Sequence, residues 1–110
     1  MKRAAQDIID IGQKLIEVKA RLGHGSFGGW LEAEFEWSDQ TALNFMNVAR
    51  RMPGIPNGLD FAPRALYLLA APSTPETART EALERAAAGE TITHAIAQDI
   101  KALYTHPWSV

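Results

Sequence analysis

Through most of this 110-residue chain, apolar residues recur at intervals of three and four. Such spacing lines one side of an α-helix and cannot line one face of a strand. The first run is the clearest. Ile8, Ile11, Leu15, Val18 and Leu22 form one stripe, and Ile9 and Ile16 widen it. Lys14, Glu17 and Arg21 stand opposite, with Glu17 and Arg21 as an i,i+4 pair. Gly12 interrupts the pattern at a cost of up to about 1 kcal/mol relative to alanine, and suits close packing against a neighbour. Gly23-His24-Gly25 ends the helix, because glycine readily takes the left-handed conformation of a C-cap.

Five further helices follow from the same reasoning. Ser26 is the expected N-cap of a short second helix that buries Phe27, Trp30, Leu31 and Phe35. Glu36-Trp37 makes a tight connection. Ser38 caps a third helix, with Asp39 in its first turn on the favourable side of the dipole. Ala42, Phe45, Met46 and Ala49 form its inward face, and Arg50 and Arg51 close it. A fourth helix starts near Pro63 and ends before Pro72, with Leu66, Leu69 and Ala70 inward. Thr74 is the expected cap of a fifth, with Pro75 at its first position. Ala78, Ala82, Leu83 and Ala86 face inward there, Glu81 and Arg85 pair outside, and Gly89 closes it. Thr93 caps a sixth in which Ile96, Ile100 and Leu103 share a face.

The expected fold class is therefore all-α, with about six helices: a helix-turn-helix-like core and a helical C-terminal extension. Proline and glycine cluster between residues 53 and 63 (P-G-I-P-N-G). The expected organisation is a three-helix unit over 1–52, a linker over 53–63, a helical unit over 64–104 packed on the first, and a tail over 105–110.

Composition removes several classes of function. With 46% hydrophobic and 22% charged residues, the chain has the make-up of one globular domain. It has no cysteine, which excludes disulfides, thiolate metal sites and cysteine nucleophiles. The longest apolar run, Ala65 to Pro72, is far short of the roughly 20 residues that span a bilayer. No signal-peptide pattern opens the chain, so a cytoplasmic protein without a membrane partner is expected. His24, His94 and His106 lack metal-ligand spacing, and no metal or cofactor is expected. No G-x-S-x-G, P-loop or G-x-G-x-x-G occurs, and G-H-G-S-F-G-G follows a helix instead of a strand. Glu32 and Glu36 share a helix face without the partner that acid–base work requires. No enzymatic activity is expected.

The second and third helices have the length grammar of a helix-turn-helix, in which the second helix presents its outer face to the major groove. With Ala42, Phe45, Met46 and Ala49 inward, Gln40, Asn44, Asn47 and Arg51 fall on the expected outer side. Asn and Gln bond bidentately to adenine and Arg to guanine or phosphate, so these four are the candidate base contacts. Lys14, Lys19, Arg21 and Arg50 are the candidate phosphate contacts. Two features oppose this reading. Glu36 stands where the turn glycine of the motif falls, and Glu32, Glu34, Glu36 and Asp39 make the approach acidic in a chain of net charge −2. A row of amides is equally at home as a solvated helix exterior.

The stretch from Ile11 to Ala49 resembles an uncharacterised bacterial family seen in plasmid, phage and other mobile-element proteins. Its shared H-G-x-F-x-x-W-L and S-x-x-T-A-x-x-F-M patterns are matched by His24, Gly25, Phe27, Trp30, Leu31, Ser38, Thr41, Ala42, Phe45 and Met46. Most of these are core or cap residues, so the resemblance implies a fold and carries no activity. Residues 65–100 are loosely similar to the helical DNA-binding region of ParB-type partition proteins, through A-L-Y-L-L-A, T-P-E-T-A-R and A-G-E-T-I-T-H-A-I-A. That family's nucleotide-binding motif is not present.

Two functional expectations stand side by side. One is a sequence-specific regulator or partition-like protein of a plasmid or phage-type element, dimeric, reading double-stranded DNA with helix 38–51. The other is a protein-interaction module, an inhibitor or adaptor, using the acidic residues Glu32, Glu34, Glu36 and Asp39 with an aromatic patch of Phe27, Trp30 and Trp37. The stripe of the first helix also suits a homodimer seam.

Overall fold

A computed structural model describes residues 4–23, 25–56 and 58–105, with the backbone alone at residue 4. These residues form α1 (Ala4–Leu22), α2 (Phe27–Phe35), α3 (Asp39–Arg51), α4 (Pro63–Ala70), α5 (Glu76–Ala87) and α6 (His94–Thr105). The chain is all-α, as the periodicity requires. Its one departure among the described residues is an isolated parallel bridge between Phe61 and Ile92. His24, His106 and residues 106–110 lie outside the described residues, whereas Thr105, expected in the tail, ends α6.

The third helix is the centre. The first helix lies along one side of it and α4 against another, while α5 and α6 build outward from α4. Gly12 sets the closeness of the α1–α3 contact. A Cβ at Gly12 would overlap the backbone carbonyl oxygen of Phe45 and stand 2.8 Å from the Ala49 Cβ. Because α1 turns this glycine toward α3, its buried face runs through Ala5, Ile8, Ile9, Gly12 and Leu15. Ile11 and Leu22, expected in the stripe, are left exposed at its edge.

The core has two clusters. One joins Ala5, Ile8 and Ile9 to Val48 and to the apolar faces of α4, α5 and α6. The other, under α2, holds Leu15, Phe27, Leu31, Ala42 and Met46. Phe45 packs against both. The segment between α3 and α4 is not a free tether, because Met52, Ile55 and Phe61 are buried in the first cluster. The Ala62 amide donates to the Ile92 carbonyl at 2.9 Å and the Ile92 amide to the Asp60 carbonyl at 2.8 Å. The proline- and glycine-rich chain therefore fastens the N-terminal helices to the C-terminal ones.

Helix ends follow the caps in part. The Ser38 hydroxyl accepts from the Thr41 amide at 3.3 Å and that of Thr93 from the Ile96 amide at 3.2 Å. Ser26 behaves otherwise. Its backbone is already helical, its side chain caps nothing, and only its carbonyl engages, accepting from Trp30. Thr74 is buried and donates its hydroxyl to the Leu68 carbonyl at 2.6 Å, so it ties off α4 while Pro75 takes the N-cap position of α5. Glu81 and Arg85 pair at 3.4 Å, and Glu90 adds two bonds of 2.7 Å to the same guanidinium. In α6, Ala97 and Ile100 are buried and Leu103, expected on the same face, is exposed.

Candidate functional site

The corner between α2 and α3 is made by Glu36, Trp37 and Ser38. Glu36 has a φ of 57°, and its amide donates to the Glu32 carbonyl at 3.0 Å. It thus adopts the left-handed conformation that a turn glycine would supply, at a cost of about 1 kcal/mol for a residue with a Cβ. The absence of glycine does not prevent the corner.

The expected row of base contacts does not form one exposed surface. Gln40 is exposed, and its Nε2 donates to Oδ1 of half-buried Asn44 at 2.9 Å. Asn47 is only 6% exposed. Its Oδ1 accepts from Arg51 Nη1 at 2.9 Å, and the same nitrogen reaches the Ala70 carbonyl at the end of α4 at 3.3 Å. Asn47 and Arg51 therefore join α3 to α4. The physical reason is that α3 has two covered sides, one against α1 and one against α4, and Val48 is also fully buried. Asn47→Ala should accordingly cost about 1–2 kcal/mol of stability, because it removes the buried amide through which Arg51 is held against α4. Urea denaturation checks this, and a change of only a few tenths of a kcal/mol would contradict the joining role.

The four candidate phosphate contacts divide between two faces. Lys19 and Arg50 both line a shallow recess along the second half of α1, with Ile16, Ala20 and Gly23. The Lys19 ammonium also lies 5.7 Å from the centre of the Phe27 ring, within cation–π range. Lys14 faces another way, into a groove shared with α2. Arg21 is exposed and stands seven residues beyond Lys14, on the same side of α1.

That groove is the most distinctive surface of the molecule. It has a volume of about 360 Å³, an apolar lining, and walls formed by Ile11, Leu15 and Val18 on α1 and by Trp30, Phe35 and Trp37 across from them, with Lys14 at its edge. The aromatic wall belongs to a continuous run of ring contacts. Phe27 meets Trp30 at 6.1 Å between centres, Trp30 meets Phe35 at 5.5 Å, Phe35 meets Trp37 at 4.6 Å, and Trp37 meets Phe45 at 5.2 Å. Phe27 is buried and Trp30 and Trp37 are half-buried. Phe35, expected in the core, is 46% exposed, because the left-handed corner at Glu36 swings the chain away just beyond it. Trp37 also borders a second recess, lined by Glu32, Glu36 and Ser38.

The groove was legible in one respect only. A stripe on α1 that runs from Ile9 and Ile16 across to Ile11 and Val18 is wider than one neighbouring helix covers, and its uncovered edge is the groove wall. Nothing in the spacing of α2 signals that Phe35 opens to solvent.

Among the described residues, no group of three or more His, Asp or Glu side chains is placed to hold a metal ion. None of their helices is long and apolar enough to cross a membrane. No curated protein and no solved structure matches the chain. A family model described as a protein of unknown function matches residues 1–55, the half that contains α1, α2, α3, the groove and the Lys19–Arg50 recess. The chain thus belongs to the DUF3102 family of proteins of unknown function.

Proposed function

We propose that this protein is a non-enzymatic protein-interaction module that docks a partner in the groove between α1 and α2. The observation that carries this reading is the open apolar groove with Phe35 and Ile11 at its mouth, 46% and 37% exposed. Aromatic side chains beside a cleft are the usual anchors of protein interfaces. Sites for small polar molecules need several convergent polar groups, whereas this lining is apolar. A photo-crosslinking residue placed at position 35 should yield a discrete protein adduct in the host cell, and the same residue at position 103, on α6, should not. The reading falls if both positions give the same products or if position 35 gives none.

A second reading rests on a different observation. Lys19 and Arg50 share one recess, and the Gln40–Asn44 amide pair is fixed on the exposed N-terminal half of α3. These support a DNA-binding regulator, partition-like and dimeric, as in a plasmid or phage-type element. In this form it has fewer base contacts than the sequence suggests, with Gln40 and Asn44 reading bases and Lys19 and Arg50 holding phosphate. Selection from a random duplex pool at two salt concentrations tests it. A motif enriched by the protein and lost with Asn44→Ala supports this reading. Binding that vanishes at physiological salt and enriches nothing removes it.

A further inference from the structure

The groove does not end in neutral surface. At Trp37 it meets the recess of Glu32 and Glu36, so one ring is shared by an apolar channel and an acidic one. Glu34 is exposed on the same helix. Among the described residues the ion pairs are those of Arg85, and the three glutamates of this corner make none. Resting on the docking reading above, we infer that the partner segment is an amphipathic helix whose apolar stripe is followed by a basic residue, arginine above all, seated at the edge of Trp37 between Glu32 and Glu36.

Length, polarity and charge agree. From Ile11 to Val18 the α1 wall spans eight residues, about 10 Å or two helical turns. Two turns present the i, i+3 or i+4 and i+7 anchors by which a helix fills a groove. Beyond them, Phe35 and Phe45 stack on Trp37 and leave its edge open, where a guanidinium pairs bidentately with carboxylates, which an ammonium does less well. Lys14, midway along the α1 wall, disfavours a second cation beside it, so the basic residue belongs at the Trp37 end.

The test uses the whole chain and three synthetic helices of about 14 residues, lacking tryptophan, with leucine at i, i+3, i+4 and i+7. One turn further they carry arginine, glutamine or glutamate. Tryptophan fluorescence and amide chemical shifts report binding. The arginine helix should bind about 10-fold tighter than the glutamine helix at low salt, and the glutamate helix weakest. The Glu32→Gln, Glu36→Gln double variant should bring arginine and glutamine helices to within about two-fold, as should about 0.5 M salt. If all three helices bind equally and all lose affinity with Phe35→Ala, the groove docks partners but the basic segment is wrong. If none binds and Phe35→Ala changes nothing, the docking reading fails with it. A concentration-dependent dimer, broken by Phe35→Asp and excluding the peptides, would make a second copy of this chain the occupant and overturn the inference.

Discussion

Gly12→Val is expected to destabilise the protein by about 3 kcal/mol or more, and Gly12→Ala by about 1–2 kcal/mol. Alanine in place of a mid-helix glycine ordinarily stabilises by up to about 1 kcal/mol, so the sign of the second effect is diagnostic. The new Cβ would run into the Phe45 carbonyl oxygen, a backbone atom with no rotamer to escape through, and into the Ala49 Cβ. Relief requires α1 and α3 to separate along the most extensive helix contact of the fold. A domain of this size has about 5–15 kcal/mol of stability in all, so the valine variant loses a large fraction of it. Urea denaturation of both variants measures the effect, and each kcal/mol should lower Tm by roughly 4 °C. An alanine variant as stable as the parent would mean that α1 and α3 are not held in contact at Gly12.

Leu31→Ala should cost about 3 kcal/mol and act unevenly across the molecule. Leu31 is fully buried and, together with Phe27, carries α2 into the cluster of Leu15, Ala42 and Met46. A nine-residue helix has no stability of its own, so α2 persists only through this packing. The cluster under α2 is also distinct from the one that holds α4, α5 and α6. Hydrogen exchange should therefore accelerate in α2 and at the Glu36 corner well before it does in α4 or α6. Uniform acceleration, or a loss below about 1 kcal/mol, would show that the groove's aromatic wall does not depend on Leu31.

Where the sequence could be read, and where not, follows from what each pattern reports. Helix number and most boundaries were legible because the apolar spacing and the Ser38 and Thr93 caps are local signals, and local signals survive folding. Thr74 misled for the same reason. A threonine before a proline is a good cap by composition, but the hydroxyl here completes the preceding helix, which only the packed structure decides. Asn47 shows the larger limit. A single inward face is inferred from the hydrophobic residues of α3, yet α4 covers a second side through an amide, an arginine and one valine, which leave no hydrophobic period. The P-G-I-P-N-G stretch looked like a linker by its turn residues, while Ile55 and Phe61, single apolar residues within or near it, carry it into the core. Of the candidate site, the basic residues and the aromatic patch were visible as types. Their partition between the Lys19–Arg50 recess and the Lys14 groove was not, because it depends on how far α1 is rotated about its axis by Gly12.

Hydroxyl-radical footprinting of the protein in its host cell, compared with the purified chain, tests the docking face most directly. Phe35 and Trp37 should react readily in the purified chain and become protected in the cell, while Tyr104 on α6, 41% exposed, stays equally reactive in both. Unchanged reactivity at Phe35 and Trp37, with protection appearing instead at Leu43 on the open edge of α3, would contradict the account and favour the face beside Lys19.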